Sequence, residues 1–176
     1  HIRGEITLPK SAVHKLLFNQ PQEKLHSMTN KIIQAEFHCH SVYSGDSINQ
    51  LEPLLKTARE KGIQRLCVTD HDTLEGSLKA HAMQPDLVVV AEEVLTASGE
   101  LIAYFLQEEI PGGLSPFKTI ELMREQEAFI AVPHPCDDYR SYWRAGELDD
   151  ILPLVDAVEV FNARCFRQEF NERALE

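Results

Sequence analysis

His38-Cys39-His40 sets two imidazoles one residue apart at the end of a short apolar stretch, and Ser-Val-Tyr-Ser-Gly-Asp46 follows it. Successive side chains of an extended strand point to opposite faces, so His38 and His40 are expected to look one way and Phe37 and Cys39 the other. Two neutral imidazole nitrogens aimed at one point suit Zn, Mn or Fe. Three later segments end in a similar manner. Arg65-Leu-Cys-Val-Thr runs into Asp70-His71-Asp72, Asp86-Leu-Val-Val-Val-Ala into Glu92-Glu93, and Ala128-Phe-Ile-Ala-Val into Pro133-His134-Pro135. Short buried-type strands that each finish in a metal-capable residue describe a site at the C-terminal edge of an α/β sheet. His14, His26 and His81 fall instead in helical or loop stretches, and His81 reads as structural or solvent-facing.

The elements that must position these residues are legible from periodicity. Strands are expected near 36–39, 65–69, 87–91, 101–106, 128–132 and 157–161. Between them, Asn49 with Glu52 resembles a capping box, Leu51, Leu54, Leu55 and Ala58 recur at helical spacing, and Gly62 ends that helix. Thr73 can cap a second helix carrying Leu74 and Leu78. Ser115 followed by Pro116 opens a third, with Phe117, Ile120 and Met123 on one side. A last helix is expected over 166–176, where Phe166, Phe170 and Ala174 are four apart and no Gly or Pro stops it. The order reads β-α-β-α throughout, which predicts a parallel sheet, open or closed. The chain divides near residue 35. Residues 1–35 form an N-terminal extension, weakly amphipathic from Ser11 and broken at Pro21, with no identifiable chemistry; 36–176 form the domain.

The series His38-x-His40, Asp46, Thr69-Asp-His71-Asp, Glu93 and Pro133-His134-Pro135 resembles the polymerase and histidinol phosphatase (PHP) superfamily of metal-dependent phosphoesterases. The match runs from about Glu36 to the end of the chain. Gly99-Glu-Leu-Ile-Ala-Tyr-Phe-Leu and Val158-Glu-Val-Phe-Asn-Ala-Arg164 look more like the stand-alone phosphoesterases than the polymerase-attached domains. The resemblance implies an α/β fold of a distorted (β/α)7 barrel. It also implies a further strand ending in an Asp-x-His pair, which nothing after Phe161 matches, so the domain is expected to be C-terminally incomplete.

By the same resemblance, His38, His40, Asp46, His71, Glu93 and His134 are expected to hold two or three divalent metal ions (Mn, Zn or Fe, with Mg a further option), and Glu93 to bridge two of them. Alternation lets only one of Glu92 and Glu93 face inward. Glu93 takes the position of the family's Gly-x-Glu pattern, with Ala91 standing where Gly is usual. Asp46 after Gly45 also suits an ordinary turn. Asp70 and Asp72 flank His71 and are assigned to orienting imidazoles, with loop or cap roles as the alternative. Glu100 stands where many members have histidine, and is either a ligand or solvent-facing. Arg164 follows the sixth strand and offers a planar fork for phosphate. Arg140 and Arg144, beside Tyr139, Tyr142 and Trp143, read as a loop covering the core more than as a pocket wall. The implied reaction is hydrolysis of a phosphate ester by a metal-bound hydroxide, on a small phosphomonoester or nucleotide-type substrate. A 3′ exonuclease-type domain and a non-catalytic metal-binding regulatory module are the alternatives.

Composition is consistent with that expectation. With 43% hydrophobic residues in 176, the chain can bury one sizeable core. The 28 acidic against 17 basic residues give a net charge of −11, which argues against a surface for long duplex nucleic acid. No apolar run is long enough to span a bilayer and no signal-peptide pattern opens the chain, so a soluble, cytoplasmic protein is expected. Cys39, Cys67, Cys136 and Cys165 are widely spaced without a CxxC pair and are expected to be reduced.

Overall fold

The computed structural model describes residues 33–140, 143–144 and 146–176. The weakly amphipathic stretch from Ser11, together with His14, His26 and Tyr142, lies outside the described residues. Six strands, β1 (Ala35–Cys39), β2 (Arg65–Val68), β3 (Val88–Leu95), β4 (Glu100–Tyr104), β5 (Phe129–Val132) and β6 (Ala157–Val158), form one sheet in chain order. The helices are α1 (Leu51–Glu60), α2 (Glu75–Met83), α3 (Pro116–Glu125), α4 (Glu147–Ile151) and α5 (Gln168–Arg173).

Strand and helix do not alternate throughout. β1, β2 and β3 are mutually parallel and β5 is parallel to β6, but β4 is antiparallel to both neighbours. The link from Leu95 to Glu100 is too short for a crossover helix. Thr96 closes it as a hairpin: its hydroxyl donates to the Gly99 carbonyl at 2.7 Å and accepts the Gly99 amide at 3.1 Å. The mixed α/β class therefore stands, while the (β/α)7 count does not emerge from these six strands. Because β4 runs backwards, its first residue lies at the sheet end where the parallel strands finish.

The sheet is curled. A flat sheet of six strands would hold its edges roughly 24 Å apart, yet His38 Nδ1 on β1 lies 3.2 Å from Glu159 Oε1, just past β6. Phe37 of β1 likewise packs edge-on against Tyr104 of β4 with centroids 5.9 Å apart. The concave face carries Phe37, Cys67, Val89, Ala91, Ile102, Tyr104, Phe129, Ala131 and Ala157, with every strand contributing. On the convex face, α1 and α2 pack Leu55, Ala58 and Ala80 against Leu66, Val68 and Val88. Ile120 and Met123 of α3 and Ile151 of α4 cover Val94, Leu101, Ala103 and Ile130.

One strand breaks the expected alternation. Glu36 pairs with Leu66 and Cys39 with Val68, so β1 carries one residue more than β2 across the same span, a bulge. Phe37 consequently joins the concave cluster and Cys39 the convex one. The extra residue lets both histidines face inward beside Phe37, which was expected to face the other way.

α1, α2 and α3 begin near their expected positions with different chemistry, and the short α4 was not expected. Asn49 does not cap α1; its amide donates to the His40 carbonyl at 3.1 Å, and Gln50 precedes the helix without a side-chain cap. Thr73 accepts the Glu75 amide at 3.2 Å, and Ser115 caps α3 through the Lys118 amide at 3.3 Å. Leu78 and Phe117 are exposed rather than on the buried faces of their helices. α5 stops at Arg173, short of the helix expected to the last residue, and Phe166 lies outside it, exposed. His81 bonds the Val88 carbonyl, a structural role. All four cysteines are free, and no helix among the described residues is long and apolar enough to cross a membrane.

Candidate metal centre

The inward parity of β3 runs through Val89 and Ala91 to Glu93, which is fully buried at the strand-end side of the concave face. His71 is brought beside it by backbone pairing: the Asp72 amide donates to the Glu93 carbonyl at 3.0 Å and the Glu93 amide to the Asp70 carbonyl at 3.2 Å. His134 follows β5 with a left-handed φ of 27°. The result is one carboxylate ringed by four imidazoles. Glu93 Oε2 lies 3.0 Å from His38 Nε2, 3.1 Å from His40 Nε2 and 3.5 Å from His71 Nε2. His134 Nε2 lies 3.2 Å from Oε1.

Asp46 and Glu100 complete the ring. Asp46 Oδ1 is 3.2 Å from His40 Nδ1 and Oδ2 is 4.0 Å from His71 Nε2, so Asp46 faces the cluster instead of serving only its turn. Glu100, the first residue of the reversed strand, is 3.6 Å from both His71 Nδ1 and His134 Nε2. It is half-buried and faces the cluster rather than open solvent. Three overlapping groups, His38/His40/Glu93, His40/Asp46/His71 and His71/Glu93/Glu100, each bring donor atoms within 4.8 Å of one another.

Electrostatics follow from this crowding. Burial pulls the His38 imidazole down, but its bonds to Glu159 and Glu93 outweigh that and hold it up at about 10. Burial opposes ionisation of Glu93, yet His134, His38 and His40 keep it well below the ordinary carboxylate range. Burial and the neighbouring Glu93 push Glu100 up to about 8. Glu93 Oε1 is buried, with no geometrically formed hydrogen bond, and the His134 ring nitrogen 3.2 Å away is in charge-pairing range. A buried carboxylate with three ring nitrogens at one oxygen and a fourth beside its unsatisfied other oxygen is a donor set a divalent cation fits.

The remaining expected residues divide. Arg164 reaches the rim, its Nη1 3.1 Å from Asp46 Oδ2, with a side chain 62% exposed. Asp70 and Asp72 spend their hydrogen bonds on the backbone and a hydroxyl rather than on imidazoles. Asp70 accepts the amide and hydroxyl of Ser41 at 2.5 and 2.6 Å, fixing the loop after His40. Asp72 accepts the Leu95 amide at 2.9 Å, tying down the β3–β4 hairpin. Arg140 turns to Asp137 at 3.0 Å, the exposed Tyr139 packs on Phe166 and Phe170, and Trp143 lies against Gly99 at the edge of the core.

Glu159 is the residue sequence reasoning passed over. Its Oε1 accepts from His38 Nδ1 at 3.2 Å and its Oε2 accepts the His134 amide at 2.9 Å. Periodicity puts Glu159 in the middle of a strand expected over 157–161, but β6 stops at Val158, so only the structure shows Glu159 as a strand-end residue like the others.

Comparison with known proteins bears on family and fold. The profile of the PHP domain matches residues 36–127. An uncharacterized protein of Methanocaldococcus jannaschii is 38% identical over 145 residues, covering 74% of this chain and 82% of that protein. A second uncharacterized protein of the same organism is 35% identical over 148 residues; the match covers 82% of this chain but only 59% of the longer relative. The solved structure of a "putative metal-dependent phosphoesterase" from Bifidobacterium adolescentis superposes with a TM-score of 0.64 at 14% identity over 82% of each chain, a likeness of fold. On the profile match over more than half of its length, the chain belongs to the PHP domain family.

Proposed function

We propose that this chain hydrolyses phosphate esters with the help of divalent metal ions held by His38, His40, Asp46, His71, Glu93 and His134, with Glu100 as a further ligand. The observation that carries the reading is the buried Glu93 carboxylate ringed by four imidazole nitrogens at 3.0 to 3.5 Å. Membership of the PHP family and a short 41% identical stretch shared with a "Probable phosphatase" of Caldicellulosiruptor saccharolyticus support the reaction class. When bound, such cations would neutralise charge on phosphoryl oxygens and lower the pKa of water; the nitrogen-and-oxygen donor set suits Mn, Zn or Fe.

The chain's own residues have distinct tasks. Glu159, acceptor-only as a carboxylate, holds the His38 Nδ1 proton and leaves Nε2 directed at the cluster. Arg164, at the rim beside Asp46, offers its guanidinium to the phosphate oxygens of a small phosphomonoester or nucleotide-type substrate. The apolar concave core beneath Glu93 closes the bottom of the site to water. No serine or cysteine nucleophile is needed; Cys39 and Cys67, pushed up by burial, stay as thiols.

Purified protein reconstituted with Mn or Zn should retain metal by elemental analysis, and His38→Ala and His71→Ala should each retain less. The loaded enzyme should turn over members of a panel of phosphomonoesters and nucleoside phosphates. A wild type as metal-free as both variants would overturn the reading.

A further inference from the structure

Asn162 lies nearly buried, 9% exposed, in the loop between β6 and α5, and its side-chain hydrogen bonds go to Glu159, Arg164 and Arg140 rather than to a cluster imidazole or Glu93. Its hydrogen bonds nonetheless run to both parts of the site. The carboxamide Nδ2 donates to Glu159 Oε2 at 3.1 Å. The Oδ1 accepts the Arg164 amide at 2.8 Å and Arg140 Nη2 at 3.3 Å. Its own backbone is pinned by a second carboxamide: the Asn162 amide donates to Asn171 Oδ1 at 2.9 Å, and Asn171 Nδ2 donates to the Asn162 carbonyl at 3.3 Å. The orientation of the amide is fixed by this pattern. Turned over, it would set an oxygen against the Glu159 carboxylate and an NH2 group against two donors.

Glu159 is the intermediary. With Oε2 held by Asn162 Nδ2 and by the His134 amide, its Oε1 is left for His38 Nδ1. The outer hydrogen bond of an imidazole sets which ring nitrogen faces a ligand. The group that orients Glu159 therefore acts on His38 at one remove.

From this geometry we infer that Asn162 is a positioning residue, which fixes the Glu159 carboxylate against His38 with one end of its carboxamide and the backbone of the rim residue Arg164 with the other. Cluster and phosphate-facing guanidinium are set relative to each other by one buried side chain anchored on α5. The kinetic part of this inference rests on the hydrolase reading; the structural part does not.

Two variants separate the two ends. Asn162→Asp keeps the oxygen that Arg164 and Arg140 use but removes the donor to Glu159, whereas Asn162→Ala removes both. The first readout is NMR of the metal-free, ¹⁵N-histidine-labelled chain. The His38 Nδ1 proton should be shielded from solvent exchange in the wild type and exchange about tenfold faster or more in both variants, while His81, far from Glu159 in the hydrogen-bond pattern, stays unchanged. The second is titration with Zn alone, in which both variants should bind about tenfold more weakly. The third is steady-state turnover of a small phosphomonoester at saturating metal: Asn162→Asp should lose kcat at near wild-type KM, and Asn162→Ala should also raise KM. Asn162→Ala opens a hole and can fail to fold. Asn162→Asp preserves volume and decides the matter by itself, circular dichroism verifying its fold. Unchanged His38 exchange and Zn affinity in a folded Asn162→Asp would overturn the inference. A wild type that binds no Zn would instead defeat the proposed function, and the exchange measurement would still decide the role of Asn162.

Discussion

Glu92 and Glu93 are adjacent in sequence and opposite in fate, and Glu92→Gln tests that difference quantitatively. Glu92 points to the convex face of β3, fully buried, where its Oε2 accepts the Ile110 amide at 3.0 Å and its Oε1 has no partner. Burial is the main cause that raises its carboxyl from an ordinary value of 4.5 to about 8, and the nearby Glu109 and Asp72 add to it against the Ile110 bond. The folded chain thus binds this proton more tightly than the unfolded chain. Stability from Glu92 is complete below about pH 4.5 and falls as pH rises through about 8. The slope in that window is about 1.4 kcal/mol per pH unit, accumulating to a loss on the order of 4 kcal/mol at its alkaline end.

Glutamine resembles the neutral acid: it can accept the Ile110 amide, places an equally unpartnered donor at the second position, and cannot ionise. Urea unfolding of wild type and Glu92→Gln should be compared from about pH 5 to pH 9. Other groups titrate in both proteins and cancel in the difference. The variant is expected to match the wild type, or fall slightly below it, at the acid end and to gain on it steadily toward pH 8. Parallel curves would refute the reasoning and place the Glu92 carboxyl in contact with solvent.

Two further outcomes can be measured directly. Gly76→Ala would press a methyl group onto the Asp70 carboxylate and to 2.6 Å from Ser41 Oγ and 3.0 Å from Tyr43 Cβ, so a loss of roughly 1 to 3 kcal/mol is expected in thermal or urea unfolding; an unchanged midpoint would show that the Asp70–Ser41 contact yields freely. Arg164→Ala should raise KM for a small phosphoester severalfold, about 1 kcal/mol for so exposed a guanidinium, with metal content intact; unchanged kinetics would leave Arg164 as a partner of Asp46 alone.

The strand ends were legible because they obey a short-range rule. Buried strands read as apolar runs, and His38, His71, Glu93 and His134 each stand where such a run stops. What stayed hidden depends on residues distant in sequence. The bulge that turns Phe37 inward exists only in the register of β1 against β2. The reversal of β4 was signalled by Ala-Ser-Gly before Glu100, but a turn of that kind is compatible with a loop of any direction. Asp70 and Asp72 were assigned to imidazoles from their adjacency to His71, whereas the fold directs them to Ser41 and Leu95. Glu159 acquires its partner 121 positions away, because the curled sheet brings β6 to β1.

Reversal of β4 also explains how the site gathers more acid than parallel strands alone would supply. Asp46, Glu93, Glu100 and Glu159 converge on His38, His40, His71 and His134, and each of these carboxylates lies within 3.6 Å of a ring nitrogen. Neutral imidazoles do not balance a fully buried Glu93 with three further carboxylates around it, and the metal-free cluster draws in protons. The two groups that hold them are identifiable: His38, kept charged up to about 10 by Glu159 and Glu93 in spite of its burial, and Glu100, kept neutral up to about 8 by burial and Glu93. His38 reaches Glu93 from β1, and Glu100 is placed beside the same cluster at the start of β4. The protons therefore mark the places where the cluster most lacks positive charge, and a cation seated against Glu93 would supply that charge and release them.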